Sequence, residues 1–174
     1  MNASAIDSIA IDAALQGAVP QELALDLDVP NRWEALRAVS GLIEDSRGLS
    51  APPVFRALWR REQAASTALG KGFALPHARI PGIAERVTVY ARTRVPIGFA
   101  APDHRPVSDI FVVMVPDEAE PAKHVQLLAV VAAMFSDDAF RRHLTAAPDA
   151  ASVRSTFRRW IDQRHVHLRV ASGA

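Results

Sequence analysis

The chain has 174 residues, of which 49% are hydrophobic, 22% are charged and none is cysteine, with a formal net charge of +1. That length suits one compact domain with a real core and is too short for two ordinary ones, and the missing thiols exclude disulfide frameworks, thiolate metal sites and cysteine nucleophiles. Nothing in the overall charge marks a nucleic-acid binder, and no uncharged apolar run reaches the roughly 18 residues that a membrane span requires.

Residues 1–20 mix small and apolar side chains up to Pro20 and read as a short lead-in helix or an ordered arm. Met1–Asp7 have neither the positive start nor the apolar core of a secretory signal, so a soluble, cytoplasmic protein is expected. Ala24–Val29 alternate apolar and polar side chains, the period of a half-buried strand. Asn31 with Glu34 three residues on has the pattern of a capping box, opening a helix whose Trp33, Leu36, Val39, Leu42 and Ile43 share one face. A second helix is predicted from Ser50 through Val54, Leu58 and Trp59 to about Glu62, because Pro52 and Pro53 are tolerated in a first turn.

The segment Gly70-Lys71-Gly72-Phe73-Ala74-Leu75-Pro76-His77-Ala78-Arg79 comes next. Its two glycines permit backbone conformations that other residues avoid and let peptide N–H groups approach an anion, and Pro76 stiffens the chain just before His77. Two readings fit: an imidazole nucleophile presented from constrained backbone, or a hairpin with a half-exposed histidine. Past His77 the period becomes two, with Val87, Val89 and Ala91 pointing one way and Thr88, Tyr90 and Arg92 the other. Val107–Val115 is continuously apolar after Asp109, which predicts a central strand buried on both faces. Pro121 can open a helix that is apolar nearly all round from His124 to Phe135 and is expected to be mostly covered. Ser136 and Asp149 read as caps of two further helices, carrying Phe140 and Leu144, then Val153, Phe157, Trp160 and Ile161. This order departs from strict strand–helix alternation and predicts an α/β (α+β) domain, a mixed sheet flanked by helices.

Six histidines occur, at 77, 104, 124, 143, 165 and 167, and only the first three sit where loops or element ends could bring them together. His143 reads as a surface residue near a helix end. His165 and His167, with Arg158, Arg159, Arg164 and Arg169, read as a solvated basic helix end, so no nucleic-acid partner is expected. His124 falls in the first turn of its helix, where the dipole favours negative charge; a local cap or a half-buried core residue fits equally well. His77, His104 and His124 lack the close spacing of a zinc signature, so neither metal nor cofactor is expected. No Gly-x-Ser-x-Gly elbow and no Walker loop is present.

Arg61-Glu62 followed by Ser66-Thr67-Ala68-Leu69-Gly70-Lys71-Gly72-Phe73-Ala74-Leu75-Pro76-His77-Ala78-Arg79 resembles the mannitol/fructose-type enzyme IIA of the bacterial phosphotransferase system. The resemblance continues in order through Pro96-Ile97-Gly98-Phe99, Asp103, Arg105-Pro106-Val107, Met114-Val115-Pro116 and His124-Val125-Gln126-Leu127-Leu128-Ala129. Chain length and the lead-in before Leu25-Asp26-Leu27 are most similar to the single-domain, nitrogen-regulatory kind. The resemblance divides the chain into a lead-in (1–20), an enzyme IIA type-2 domain (21–165) and a basic tail (166–174). It implies that His77 accepts a phosphoryl group, that His124 lies beside it and helps to hold the phosphate, and that Arg61 contributes positive charge. Thr67, Gly70 and Gly72 are its implied phosphate-binding residues. Asp103-His104 stands where the family commonly has Asp-Gly, and Gly98 replaces a usual acidic or polar residue.

Three functions follow as expectations. The first is a phosphocarrier that takes phosphate from an HPr-like histidine carrier and regulates target proteins through its phosphorylation state. The second is a transport component that passes phosphate to a cysteine-bearing enzyme IIB. The third is an interaction module without phosphate turnover. For either transfer role one nitrogen of the His77 ring must be unprotonated, and the other should donate to a backbone carbonyl that fixes the tautomer.

Overall fold

The computed structural model describes the backbone of residues 12–172 and the side chains up to Arg164. Met1–Asp7 and the side chains of His165, His167 and the 166–174 tail lie outside that description. In chain order the elements are α1 (12–17), β1 (Glu22–Leu27), α2 (Arg32–Arg47), α3 (Ala51–Ala64), β2 (Ala68–Gly70), β3 (Phe73–Ala74), β4 (His77–Ile80), β5 (Val87–Ile97), β6 (Val107–Pro116), α4 (Pro121–Ser136), α5 (Asp138–Ala146) and α6 (Ala150–Ser172). They form two compact units, Gln21–Ala119 on one hand and Met1–Pro20 with Glu120–Ala174 on the other. None of the described helices is long and apolar enough to cross a membrane.

The first unit is built on a six-stranded mixed sheet in the order β1-β5-β6-β3-β2, with β4 also pairing with β6. β1 begins two residues earlier than its alternation predicts, because Glu22–Ala24 pair in parallel with Val89–Ala91 of β5. Asp26, with φ of 57°, then turns the chain out of register before Leu27 rejoins at Thr93. β6 is central as predicted, antiparallel to β5 and parallel to β3 and β4. Ile110, Val112 and Met114 of β6 join Val89 and Ala91 in one buried face with Leu36, Val39, Ile43, Val54 and Leu58 from α2 and α3. Each of these side chains other than Ala91 contributes roughly 1.5–3 kcal/mol on burial, which holds the two helices to the sheet. Thr88 and Tyr90, on the other face of β5, are buried as well. Tyr90 donates its hydroxyl to Asp109 Oδ1 at 2.5 Å, so the polar end of this buried ring is satisfied.

Local signals explain the helix ends. Asn31 Oδ1 accepts from Glu34 N at 3.0 Å at the start of α2, and Gly48, at φ 68°, closes it by donating to Glu44 O. The prolines do sit in the first turn of α3, which runs on to Ala64.

In the second unit, Phe135, Phe140, Phe157 and Trp160 form an aromatic cluster, with Phe140 at 5.2 Å from both Phe135 and Phe157. Two expectations change. Asp137, not Ser136, caps α5, accepting from Ala139 N, Phe140 N and Trp160 Nε1; Ser136 ends α4 with its hydroxyl on Ala132 O. Adjacent Ser and Asp can both cap, and the carboxylate wins because one group meets three donors. α4 is covered along one stripe, Leu127, Val131, Met134 and Phe135, and leaves Val125 61% exposed. Asp149 caps α6 through Ser152 N as predicted, and His143 is exposed in the last turn of α5.

His104 occupies an exposed turn with φ of 58°, donating its N–H to Ala101 O at 3.0 Å. A side chain pays a steric penalty in this left-handed region that glycine avoids. His104→Gly is therefore expected to raise stability by about 0.5–1 kcal/mol, read as a higher urea midpoint at unchanged m-value.

Candidate functional site

β3 and β4 run along the same side of β6, at Asp109–Ile110 and at Val113–Pro116, and Leu75-Pro76 is the interruption between them. Pro76 has no N–H, but its carbonyl accepts from Val113 N at 2.9 Å. Leu75 sends its N–H to Thr67 O at 3.0 Å and turns its carbonyl toward the ring of His77, 2.9 Å from Nδ1. A carbonyl only accepts, so Nδ1 carries the proton. On the other side of the ring, Arg61 Nε lies 3.1 Å from Nε2. A guanidinium only donates, so Nε2 carries the lone pair. Both neighbours thus select the same neutral tautomer. Burial lowers the His77 pKa from the usual imidazole value; the bond to Leu75 O opposes this, the positive charge of Arg61 reinforces it, and the negative charge of Glu62 opposes it. The result is a ring biased toward its neutral form, with the lone pair on Nε2.

Arg61 stands in the last turn of α3 and is tethered there, its Nη1 donating to Ala65 O at 2.8 Å. The next residue, Glu62, is only 2% exposed. Its carboxylate accepts from Arg32 Nη1 at 3.0 Å, from Thr67 N at 2.9 Å and from Thr67 Oγ1 at 2.6 Å. Both hydrogen-bond donors of Thr67, expected to meet phosphate oxygens, are thus directed to Glu62. Glu62 was not singled out by the sequence reading. Its signal was present: it follows Val54 and Leu58 at spacings of four, a charged residue on the buried stripe of α3.

Gly70 and Gly72 flank Lys71 at the tip of the β2–β3 hairpin, where Lys71 and Gly72 have φ of 54° and 79°. Gly70, at φ 84°, begins this run, and positive φ at the two turn residues matches the right-handed twist of paired strands. The N–H of Lys71 donates to Asp103 Oδ2 at 2.7 Å, and a Cβ on Gly70 would stand 3.1 Å from that same oxygen. His124 belongs to the second unit, half-buried in the first turn of α4, with its N–H donating to Glu120 O. Among the residues read from the sequence, the structure of the first unit thus joins His77 and Arg61 directly and reaches Thr67 through Glu62.

The family model for EIIA 2 of the phosphoenolpyruvate-dependent sugar phosphotransferase system matches residues 20–160. The chain belongs to this enzyme IIA family. It is 30% identical over 136 residues to a nitrogen regulatory protein of Bradyrhizobium diazoefficiens, covering 78% of this chain and 88% of that protein. The crystal structure of nitrogen regulatory protein IIA-Ntr from Neisseria meningitidis superposes with a TM-score of 0.76 at 35% identity, over 82% of this chain and 99% of that one. The mannitol enzyme IIA of Escherichia coli, solved in complex with phosphorylated enzyme IIB, shares the fold: TM-score 0.64 at 14% identity, over 78% and 93% of the two chains.

The lowered pKa of His77 has a consequence for stability. As pH falls past the unfolded value of about 6.5, the unfolded chain takes up this proton before the fold does, so the ring's contribution is present above that pH and is lost below it. The urea midpoint of the wild type should fall between about pH 8 and about pH 5 with a component that His77→Gln lacks.

Proposed function

We propose that this chain is a histidine phosphocarrier that accepts a phosphoryl group on Nε2 of His77 from a small HPr-like carrier and acts as a nitrogen-type regulator through its phosphorylation state. The observation that supports this most is the pair of contacts on one ring: Leu75 O holds the proton on Nδ1, and Arg61 marks the lone pair on Nε2. In the transfer step the donor's N–P bond breaks and its electron pair returns to the donor imidazole while the Nε2–P bond forms in line. The Nδ1 proton stays in place, so no separate base is needed. Arg61 must release Nε2 as the phosphoryl group arrives, and its tether on Ala65 O keeps the guanidinium within reach of an equatorial oxygen. His124 completes the phosphate environment in this reading. Thr67, Gly70 and Gly72 serve it as the frame of the acceptor loop.

The nitrogen-regulatory relatives favour regulation as the use of the phosphate, and the phosphate's added charge would reshape contacts of the surrounding surface with target proteins. A second reading, onward passage to a cysteine-bearing enzyme IIB, draws support from the mannitol protein's complex with phosphorylated enzyme IIB. No cofactor or metal enters either reading, and both place the protein in the cytoplasm.

Incubation with phosphoenolpyruvate and the general phosphotransferase proteins should add one acid-labile, base-stable phosphate, seen by mass. His77→Ala should take up none, and Arg61→Gln should accept on the order of a hundredfold more slowly. No uptake by the wild type would overturn both transfer readings, and passage of the label to an enzyme IIB would favour transport over regulation.

A further inference from the structure

Glu62 presents a buried carboxylate that the transfer step itself does not use. Burying such a charge is costly unless it is paired and hydrogen-bonded, and here Arg32 supplies a counter-charge while Thr67 supplies two donors. From this carboxylate a continuous path leads to the acceptor ring. Glu62 takes both donors of Thr67, Thr67 O takes the N–H of Leu75, and Leu75 O takes Nδ1–H of His77. Thr67 and Leu75 are both buried, so a shift of Glu62 displaces the carbonyl that chooses the tautomer. A second influence is electrical. Arg61 and Glu62 are the charges that bear on the ring, and they act in opposite directions. Arg61 alone would draw density from Nε2; the neighbouring carboxylate opposes that pull.

We propose that Glu62 is a positioning residue for His77: through Thr67 and Leu75 it aims the ring, and against the charge of Arg61 it sustains the nucleophilicity of Nε2. A purely structural role, neutralising Arg32 to pin α2 against α3, predicts a loss of stability and nothing at the ring. The proposal concerns the state of His77 and rests on the phosphocarrier reading only in its kinetic arm.

The test is nitrogen-15 NMR of the His77 ring across pH, in the full chain, for wild type, Glu62→Gln, Thr67→Val and Thr67→Ser, with circular dichroism confirming the fold of each. Glu62→Gln should move the ring's titration midpoint below the wild-type value and mix the two neutral tautomers. Thr67→Val should mix the tautomers with less effect on the midpoint, and Thr67→Ser, which restores the hydroxyl, should return the wild-type spectrum. Phosphoryl uptake by Glu62→Gln should slow about tenfold or more in rate at saturating donor, with little change in the donor concentration for half-saturation. An unchanged tautomer and midpoint in folded Glu62→Gln would overturn the proposal. If that variant does not fold, identical spectra for Thr67→Val and wild type would overturn it. Should the wild type take no phosphate while these spectra shift as described, the phosphocarrier reading falls and the positioning role of Glu62 stands.

Discussion

Pro76 gives β6 a carbonyl but has no N–H to give, and the side of the sheet along β6 is divided at this residue into β3 and β4. The break leaves the carbonyl of Leu75 outside the ladder, where it meets the imidazole two residues on. An uninterrupted strand would bind that carbonyl to a neighbouring chain and point the ring away from it, since side chains at 75 and 77 share a face while backbone groups lie in the sheet. The His77 ring is thus held by backbone geometry on one side and by a single guanidinium on the other. Its orientation draws on the pairing of β4 with β6 together with the buried hydrogen bonds behind Leu75.

Charge around this ring is arranged as an opposed pair. Arg61 and Glu62 are adjacent in sequence, yet α-helical geometry sends one toward His77 and the other into the interior, where Arg32 from α2 meets it. Burial does most to keep the imidazole neutral, and Arg61 reinforces it, because a proton on Nε2 would face its positive charge. The same contact covers the ring's lone pair, so the one atom of this imidazole able to bind an electrophile is occupied by a guanidinium.

Much of this was legible in the sequence where the cause is local. Asn31, the prolines of α3 and the apolar run of β6 each act within a few residues, and each produced the element its chemistry implies. The candidate acceptor was legible from the ordered motif around Pro76-His77. What remained hidden is non-local. The parallel register of β3 and β4 on β6 joins residues 36 apart, as in Phe73 with Asp109 and His77 with Val113, so nothing near Leu75 announces where its carbonyl goes. Nor could the pattern rank Asp137 over Ser136, since the deciding donor is Trp160 Nε1 from α6. The uniform apolarity of α4 likewise does not say which stripe is covered. Glu62 was visible as a charge in core spacing; its meaning needed the position of Thr67.

The second unit is discontinuous: its pieces, Met1–Pro20 and Glu120–Ala174, are separated by the whole sheet-bearing segment. Arg154 Nη1 donates to Pro20 O at 2.5 Å across a sequence separation of 134. During synthesis Pro20 leaves the ribosome before the sheet-bearing segment and Arg154 after it, so the two can meet only once that segment has been made. Strands β1 to β6 are by then already outside the exit tunnel. Loop closure grows only logarithmically with the number of intervening residues, so collapse of that intervening segment brings the two ends into range at modest entropic cost. The layout of the chain thereby constrains assembly: the two pieces of the second unit can join only after the segment that forms the sheet has been synthesised.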